Sequence, residues 1–411
     1  MYRSIVVDEQ GKSSSVSAVA AFVDALASDL KAFGRDDVAL ISVGGLKVFV
    51  WDPVVASPGS AELREAAMAS RLNGQKALLT QLEAKLPQGF FDPFDVNLAD
   101  VLPEIVVCTN SADAQVFDYV VWGQSMSADI RNFRNTKVLV FDSTPRPRRL
   151  MGAILFKSPM YFGGARDAYL GWPELFETVD GQRRKNQAAI DLRNKALKSI
   201  YNIGVCMLVP PYTAHGMGKL IASLCFSPEI IEHLEGTFGQ PVLGMTTTGG
   251  WGGNATQYDR LNLADRAGGG KRALFTRVHG ARPSLHFPTQ LFSGTVFQRA
   301  IDVIRADNTI RVRDFAGYDA DPAVAVRAFR QTCKLIGIPF RATAANCVAH
   351  YFGSVSDACT DALRTSAGID VRPPVRSIPV ADALAEWRRR QRIANPDLRG
   401  VSAIPLSRMA T

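Results

Sequence analysis

The sequence predicts an α/β (α+β) protein. A mixed central sheet is expected over about residues 105–280, an N-terminal α/β extension over 1–104 and a mainly helical C-terminal region over 281–411. Three observations predict it. From Glu104 onward, apolar runs of strand length alternate with amphipathic helical patterns. The tight turn Gly216-Met217-Gly218 separates the apolar run Val205–Val209 from the apolar-patterned Leu220–Phe226, the order of a strand, a turn and a helix. After Gly280 the pattern changes to helical segments that end in a basic one.

In chain order, Val16–Phe33 has a helical pattern. Val38–Val43 and Leu46–Trp51 read as strands joined by a hairpin at Gly44-Gly45. A helix is expected from about Ala61 to Leu86, then an irregular connector over Pro87–Phe94. Gly11-Lys12-Ser13 lacks the upstream glycine and the strand that a phosphate loop needs. Ile105–Cys108, Lys137–Phe141 and Leu150–Phe156 read as strands, the last two facing each other across a Pro-rich turn. Between Asp167 and Tyr201, several of Arg183, Arg184, Lys185, Arg193, Lys195 and Lys198 fall at helical spacing, which predicts one basic helix face. Val242–Thr248 is a further strand, followed by the glycine-rich Gly249–Gly253 and a helix over Asn254–Asn262. Beyond Gly280, helices are expected over Pro322–Ile336, Ala342–Tyr351, Val355–Thr365 and Ala381–Ile393. Ala342–Leu363 has the length of a helix-turn-helix. The tail from Asn395 is expected to be poorly ordered.

Composition bounds the function. A chain of 411 residues with 47% hydrophobic and 21% charged residues is ordinary globular material for two or three domains. The net charge of +8 points to anionic partners, nucleic acid first among them. No apolar run reaches the roughly 18 to 20 residues that span a bilayer, and no signal-peptide core follows Met1. A cytoplasmic protein away from membranes is expected. The six cysteines are scattered and form no Cys-x-x-Cys pair, which predicts free thiols and no metal site.

The order strand, Gly-x-Gly helix, strand and a helix carrying Asn254 and Tyr258 resembles the core of GNAT-type acyltransferases. The resemblance implies that Gly216 and Gly218 cradle the pyrophosphate of an acyl-CoA or another phosphate-bearing donor, with His215 and Lys219 beside them. Helix starts favour anions because their first N–H groups are unpaired and the dipole is positive there. Tyr258 is then the acid, since a phenol with a pKa of about 10 suits protonation of a strongly basic leaving group. Asp259 and Asn262 are secondary candidates. The structural alternatives are a core tyrosine packed between helix and sheet, and glycines needed only for a turn.

Asp118–Arg272 resembles the DruA family, named for a component of the Druantia anti-phage system. The residues that carry it are Leu150–Phe156, Ala165-Arg166-Asp167, Gly171-Trp172, Arg183–Asn186, Leu208–Pro210 and Lys219–Ser223. More distantly the same core is similar to the phage Mom proteins, which hypermodify adenine in DNA. These resemblances imply a GNAT-like transferase adding an acyl or related group to a base amine, adenine N6 first, in anti-phage defence or phage anti-restriction. Asp167 with Arg166 would orient the amine, and Trp172 and Trp251 would stack on a base. A salt bridge that pins a loop is the structural alternative for Arg166 and Asp167. Thr213 stands where acyl-CoA-binding relatives carry Arg or Gln, which favours a second function. That alternative is a non-catalytic DNA-binding subunit of a defence or mobile-element complex. It would bind DNA through Arg183, Arg184, Lys185 and the C-terminal Arg388, Arg389 and Arg390, alongside other defence-system or phage proteins.

Overall fold

The computed structural model describes residues 3–7, 13–32, 39–43, 46–51, 68–69, 72–73, 75–124, 134–213, 217–249, 256–264, 271–279, 294–306, 328–329, 331–333, 335–336, 349–365, 373, 376–390 and 397–409. His215, Gly216, Trp251 and Asn254 lie outside the described residues. The chain divides into two units, one of residues 1–71 with 285–347 and one of 72–284 with 348–411.

In the first unit, strands β1 (Arg3–Val7), β2 (Ala39–Val43) and β3 (Leu46–Trp51) form an antiparallel sheet in the order β1-β3-β2. Val43 pairs with Leu46, the register of a hairpin that closes over two residues. The helix Ser13–Ala32 buries Phe22, Val23, Leu26 and Ala27. They pack against Val296, Phe297, Ala300 and Val303 of the helix Gly294–Ala306. Those two apolar stripes explain why residues 285–347 fold with the N-terminal extension. Three successive blocks were expected from the sequence; contact between segments about 270 residues apart leaves no periodic trace.

The second unit carries the strands β4 (Phe94–Asn97), β5 (Pro103–Val107), β6 (Thr136–Asp142), β7 (Arg149–Lys157), β8 (Phe176–Val179), β9 (Gln182–Lys185), β10 (Ile200–Leu208), β11 (Gly244–Gly249), β12 (Asn262–Ala264), β13 (Lys271–Ala273), β14 (Phe275–Val278), β15 (Ala349–Gly353) and β16 (Asp397–Val401). Seven of them make one mixed sheet in the order β14-β15-β11-β10-β7-β6-β5. Neighbours run antiparallel except β10 and β11, which are parallel. The four strands expected to share a sheet, β6, β7, β10 and β11, therefore do. One face buries Ile154, Phe156, Tyr201, Ile203 and Met245 with Leu220, Ile221 and Leu224 of the helix Gly218–Leu224, Ile230 and Leu234 of the helix Pro228–Phe238, and Leu384 and Trp387 of the helix Val380–Arg390. The other face packs Phe352 and Val278 with Ala165, Trp172, Cys359 and Leu363.

Four local expectations are corrected. Ala349–Gly353 is a strand between β11 and β14, where the end of a helix and the turn of a helix-turn-helix were expected, and residues 342–348 lie outside the described residues; its place inside the sheet overrides a short helical pattern. Arg183, Arg184 and Lys185 lie on the β8–β9 hairpin, because Asp180 (φ 52°) and Gly181 (φ 74°) make a two-residue turn with positive φ at both positions. Residues 257–260 form turns, and Asn262 opens β12. There the Asp259 carboxylate takes the Thr256 N–H at 2.8 Å, and Arg260 is left-handed (φ 57°), which ends any helix. The tail is ordered over 397–409. β16 pairs with β4, and Glu83 accepts hydrogen bonds from Tyr119 and from the Ser407 N–H at the helix Leu406–Met409.

Candidate functional site

β10 and β11 are paired only from Ile200↔Gly244 to Ile203↔Thr247. β10 then bulges between Ile203 and Val205 and continues beside β7. Where parallel strands part, inward-facing backbone groups lose their sheet partners and must find others. The Cys206 carbonyl finds Gln257, whose Nε2 donates to it at 2.8 Å. The same Gln257 lies on Gly218, where a Cβ would come within 2.9 Å of its Oε1. Gly218 thus admits a neighbour's side chain.

Lys219 follows Gly218, and its ammonium donates to the Asp259 carbonyl. Burial first, then the nearby Arg390, lowers its pKa. Asp259 accepts from the Tyr351 hydroxyl at 2.9 Å as well as from the Thr256 N–H. Tyr351 is itself pushed up to about 12, mainly by burial. These contacts pin the turn 256–260 across the mouth of the parting strands.

Tyr258 points into the core. It packs on Phe275 and Tyr351, with ring centroids 4.9 and 5.4 Å away. Its hydroxyl accepts from Thr247 at 3.3 Å. Burial, followed by the neighbouring Cys206 and Cys225, raises its pKa well above the usual phenol. A buried phenol held this way, hydrogen-bonded to the side chains of Thr247 and Gln257, is a packing tyrosine.

Arg166, Asp167 and Arg193 form a closed brace on the opposite side of the fold. Arg166 donates from Nε and Nη2 to Asp167 Oδ1 at 2.8 and 2.6 Å, and to the Met160 and Tyr161 carbonyls. Arg193 donates to Asp167 Oδ2 at 3.3 Å and to the Pro173 carbonyl at 2.8 Å. Trp172 lies under both guanidinium groups, at 5.2 and 5.7 Å, and donates from Nε1 to the Leu363 carbonyl. Each oxygen of Asp167 already serves a guanidinium, and the buried indole is covered by protein where a base would have to stack. The geometry is that of the loop-pinning salt bridge. Sequence reasoning did not single out Arg193 or Gln257 for these roles, since their partners are 26 and 51 residues away.

The cationic candidates differ in kind. Arg183, Arg184 and Lys185 are all exposed. Pairing of Phe176 with Lys185 and Thr178 with Arg183 sets Phe176, Arg183 and Lys185 on one face of the hairpin, and Arg183 lies 4.2 Å from the Phe176 ring centre. Arg184 is opposite Glu177 on the other face. In the C-terminal cluster, Arg388 donates to the Val101 carbonyl, Arg389 pairs with Glu386, and Arg390 pairs with Glu386 while donating to the Arg260 and Asn262 carbonyls. Arg388 and Arg390 thus tie the helix Val380–Arg390 to neighbouring backbone, and Arg389 pairs within the helix.

The residues at Gly218 and Lys219 do not fit a donor's phosphate. An amide oxygen faces Gly218, the ammonium serves a backbone carbonyl, and the helix Gly218–Leu224 is only seven residues long. No group of metal-ligating side chains occurs among the described residues. Cys108, Cys206, Cys225, Cys333 and Cys359 are free thiols. No helix among the described residues is long and apolar enough to cross a membrane.

Residues 56–248 match the family model of the Druantia protein DruA. Over this stretch, under half of the chain, the protein is similar to that family. The DruA segment starts further toward the N-terminus than the motifs indicate and ends within β11. It includes the Arg166–Asp167–Arg193 brace and the basic hairpin, whereas Tyr258, Asp259 and Arg388–Arg390 lie beyond it. No curated protein and no solved structure matches the chain.

Proposed function

We propose that this chain is a nucleic-acid-binding component of an anti-phage defence assembly, acting with other defence-system proteins on a GNAT-like sheet whose candidate catalytic groups are committed to the fold. One observation carries the reading. Inside the DruA segment, three consecutive cationic residues stand exposed on a hairpin, two of them sharing a face with a half-open phenylalanine. Cations beside an aromatic ring suit a strand of nucleic acid, with phosphates drawn to the charges and a base to the ring. Tyr258 and Asp167, by contrast, have their polar atoms satisfied within the protein.

The test is DNA binding and phage protection by two variants side by side. Arg183→Ala/Arg184→Ala/Lys185→Ala should lose both, and Tyr258→Phe should keep both. Loss of protection by Tyr258→Phe in a stably folded protein would overturn the reading.

A second reading is transfer of an acyl or related group to a base amine such as adenine N6. The parting of two parallel strands beside the helix Gly218–Leu224 favours it. Mass spectrometry of nucleosides from DNA of cells making the protein decides: a new nucleoside that vanishes with Tyr258→Phe would establish this reading in place of the first.

A further inference from the structure

Residues 158–163 join β7 to the helix Gly164–Tyr169, and they hold three consecutive large apolar side chains in solvent. Met160 is 63% exposed, Tyr161 37% and Phe162 66%. Single apolar residues scattered on a surface are ordinary, but a contiguous group marks a surface made for contact. The backbone beneath these three is fixed. Arg166 donates to the Met160 and Tyr161 carbonyls. The Gly163 carbonyl accepts from the Asp167 N–H at 2.7 Å, and the Gly163 N–H donates to Asp167 Oδ2 at 3.4 Å. A Cβ on Gly163 would come within 2.8 Å of Arg166 Cζ, so glycine is what lets the guanidinium lie against the loop. Tyr161 and Phe162 meet edge to face, with ring centres 5.2 Å apart and planes at 79°. Such a pair leaves ring faces open.

The same carboxylate anchors the basic hairpin. Arg193, on the other oxygen of Asp167, holds the Pro173 carbonyl. The hairpin closes just beyond it, where the Asn186 N–H donates to the Leu175 carbonyl at 2.9 Å. Register sets Phe176, Thr178, Arg183 and Lys185 on one hairpin face, and all four are exposed. That face carries two cations, a ring and no carboxylate. One buried brace thus fixes an aromatic loop and a cationic hairpin together.

We propose that the loop Met160–Phe162 and this hairpin face form one platform for single-stranded nucleic acid, with bases stacked on Tyr161, Phe162 and Phe176 and phosphates held by Arg183 and Lys185. Charge decides between occupants. An apolar loop alone would suit a partner protein, whereas rings fixed by the same brace as a carboxylate-free cationic face suit a polyanion with flat apolar groups. Strandedness follows from the rings: bases in a duplex are stacked on their neighbours, and their faces become available once the strand is single. The inference rests on the nucleic-acid reading above and adds the loop and the strandedness to it.

Fluorescence anisotropy tests it on the full chain, with a labelled single-stranded DNA oligonucleotide and with the same oligonucleotide annealed to its complement. The intact chain should bind the single strand more tightly. Tyr161→Ala/Phe162→Ala should weaken that binding by about tenfold or more and leave duplex affinity unchanged, since a stacked base is worth about that factor. Both side chains are exposed, and unchanged duplex affinity reports an intact hairpin. Phe162→Leu keeps apolar bulk without a ring and should also weaken the single strand selectively. Selective loss supports the platform. Unchanged single-strand affinity in the double variant, or an equal loss on both DNA forms, overturns it, and the hairpin reading stands as long as the triple hairpin variant loses binding. Loss of phage protection by a double variant that keeps full single-strand affinity also overturns it and gives the loop to a partner protein. Failure of the intact chain to bind either form overturns the nucleic-acid reading itself, and the platform with it.

Discussion

At the residue scale, the brace and the core tyrosine make opposite predictions about stability and function. Asp167 is enclosed by two buried guanidinium groups, and its removal leaves both without a counter-charge. Breaking a buried pair from one side costs about 3–5 kcal/mol. Asp167→Ala should therefore lower the urea midpoint sharply, and its loss of activity should track unfolding; full stability with lost activity would instead make the carboxylate a working group. Tyr258→Phe removes one hydroxyl, hydrogen-bonded to Thr247 and Gln257, and should cost only about 1–2 kcal/mol. Cys108 offers a chemical check. Burial and the nearby Asp113 push its thiol up to about 12, so the unreactive protonated form predominates at neutral pH. Maleimide labelling at pH 7 should leave Cys108 untouched in the folded protein and modify it after denaturation.

At the scale of elements, the basic hairpin depends on its turn. A two-stranded hairpin is marginal by itself, and this one is closed by Asp180 and Gly181, both at positive φ. Gly181→Val should strain the turn by about 1–2 kcal/mol and loosen the display of Arg183 and Lys185. The expected outcome is weaker DNA binding with an unchanged global melting temperature. The Asp-Gly pair was there to be read, yet the helical spacing of the cations around it gave the wrong element. The central strands were legible because buried strands are continuous apolar runs: Lys137–Phe141 and Leu150–Phe156 fall within observed strands, and Val205–Val209 does so up to Leu208. β15 was not, since Ala349–Gly353 is strand only by its place between β11 and β14. Among the candidate residues, the exposed cations of β9 were legible as charge, whereas the closure of Asp167 by Arg193 and of Cys206 by Gln257 is tertiary. No spacing rule reports contacts of that range.

At the scale of the whole molecule, the excess of positive charge is distributed unevenly in function. The sequence offered about four to six phosphate contacts from the six cations of two clusters. Arg388, Arg389 and Arg390 are instead turned onto Glu386 and backbone carbonyls, and Arg184 faces Glu177. Two or three contacts remain, all on the hairpin. Each neutralised phosphate on duplex DNA releases about 0.9 of a counterion, so the log–log salt slope should be about −2 to −3. Arg388→Ala/Arg389→Ala should leave that slope unchanged. The most direct measurement is the salt dependence of DNA binding by the intact chain and by Arg183→Ala/Arg184→Ala/Lys185→Ala. The account predicts a slope of about −2 to −3 that falls close to zero in the triple variant. An unaltered slope in that variant, or no binding by the intact chain at low salt, would contradict it.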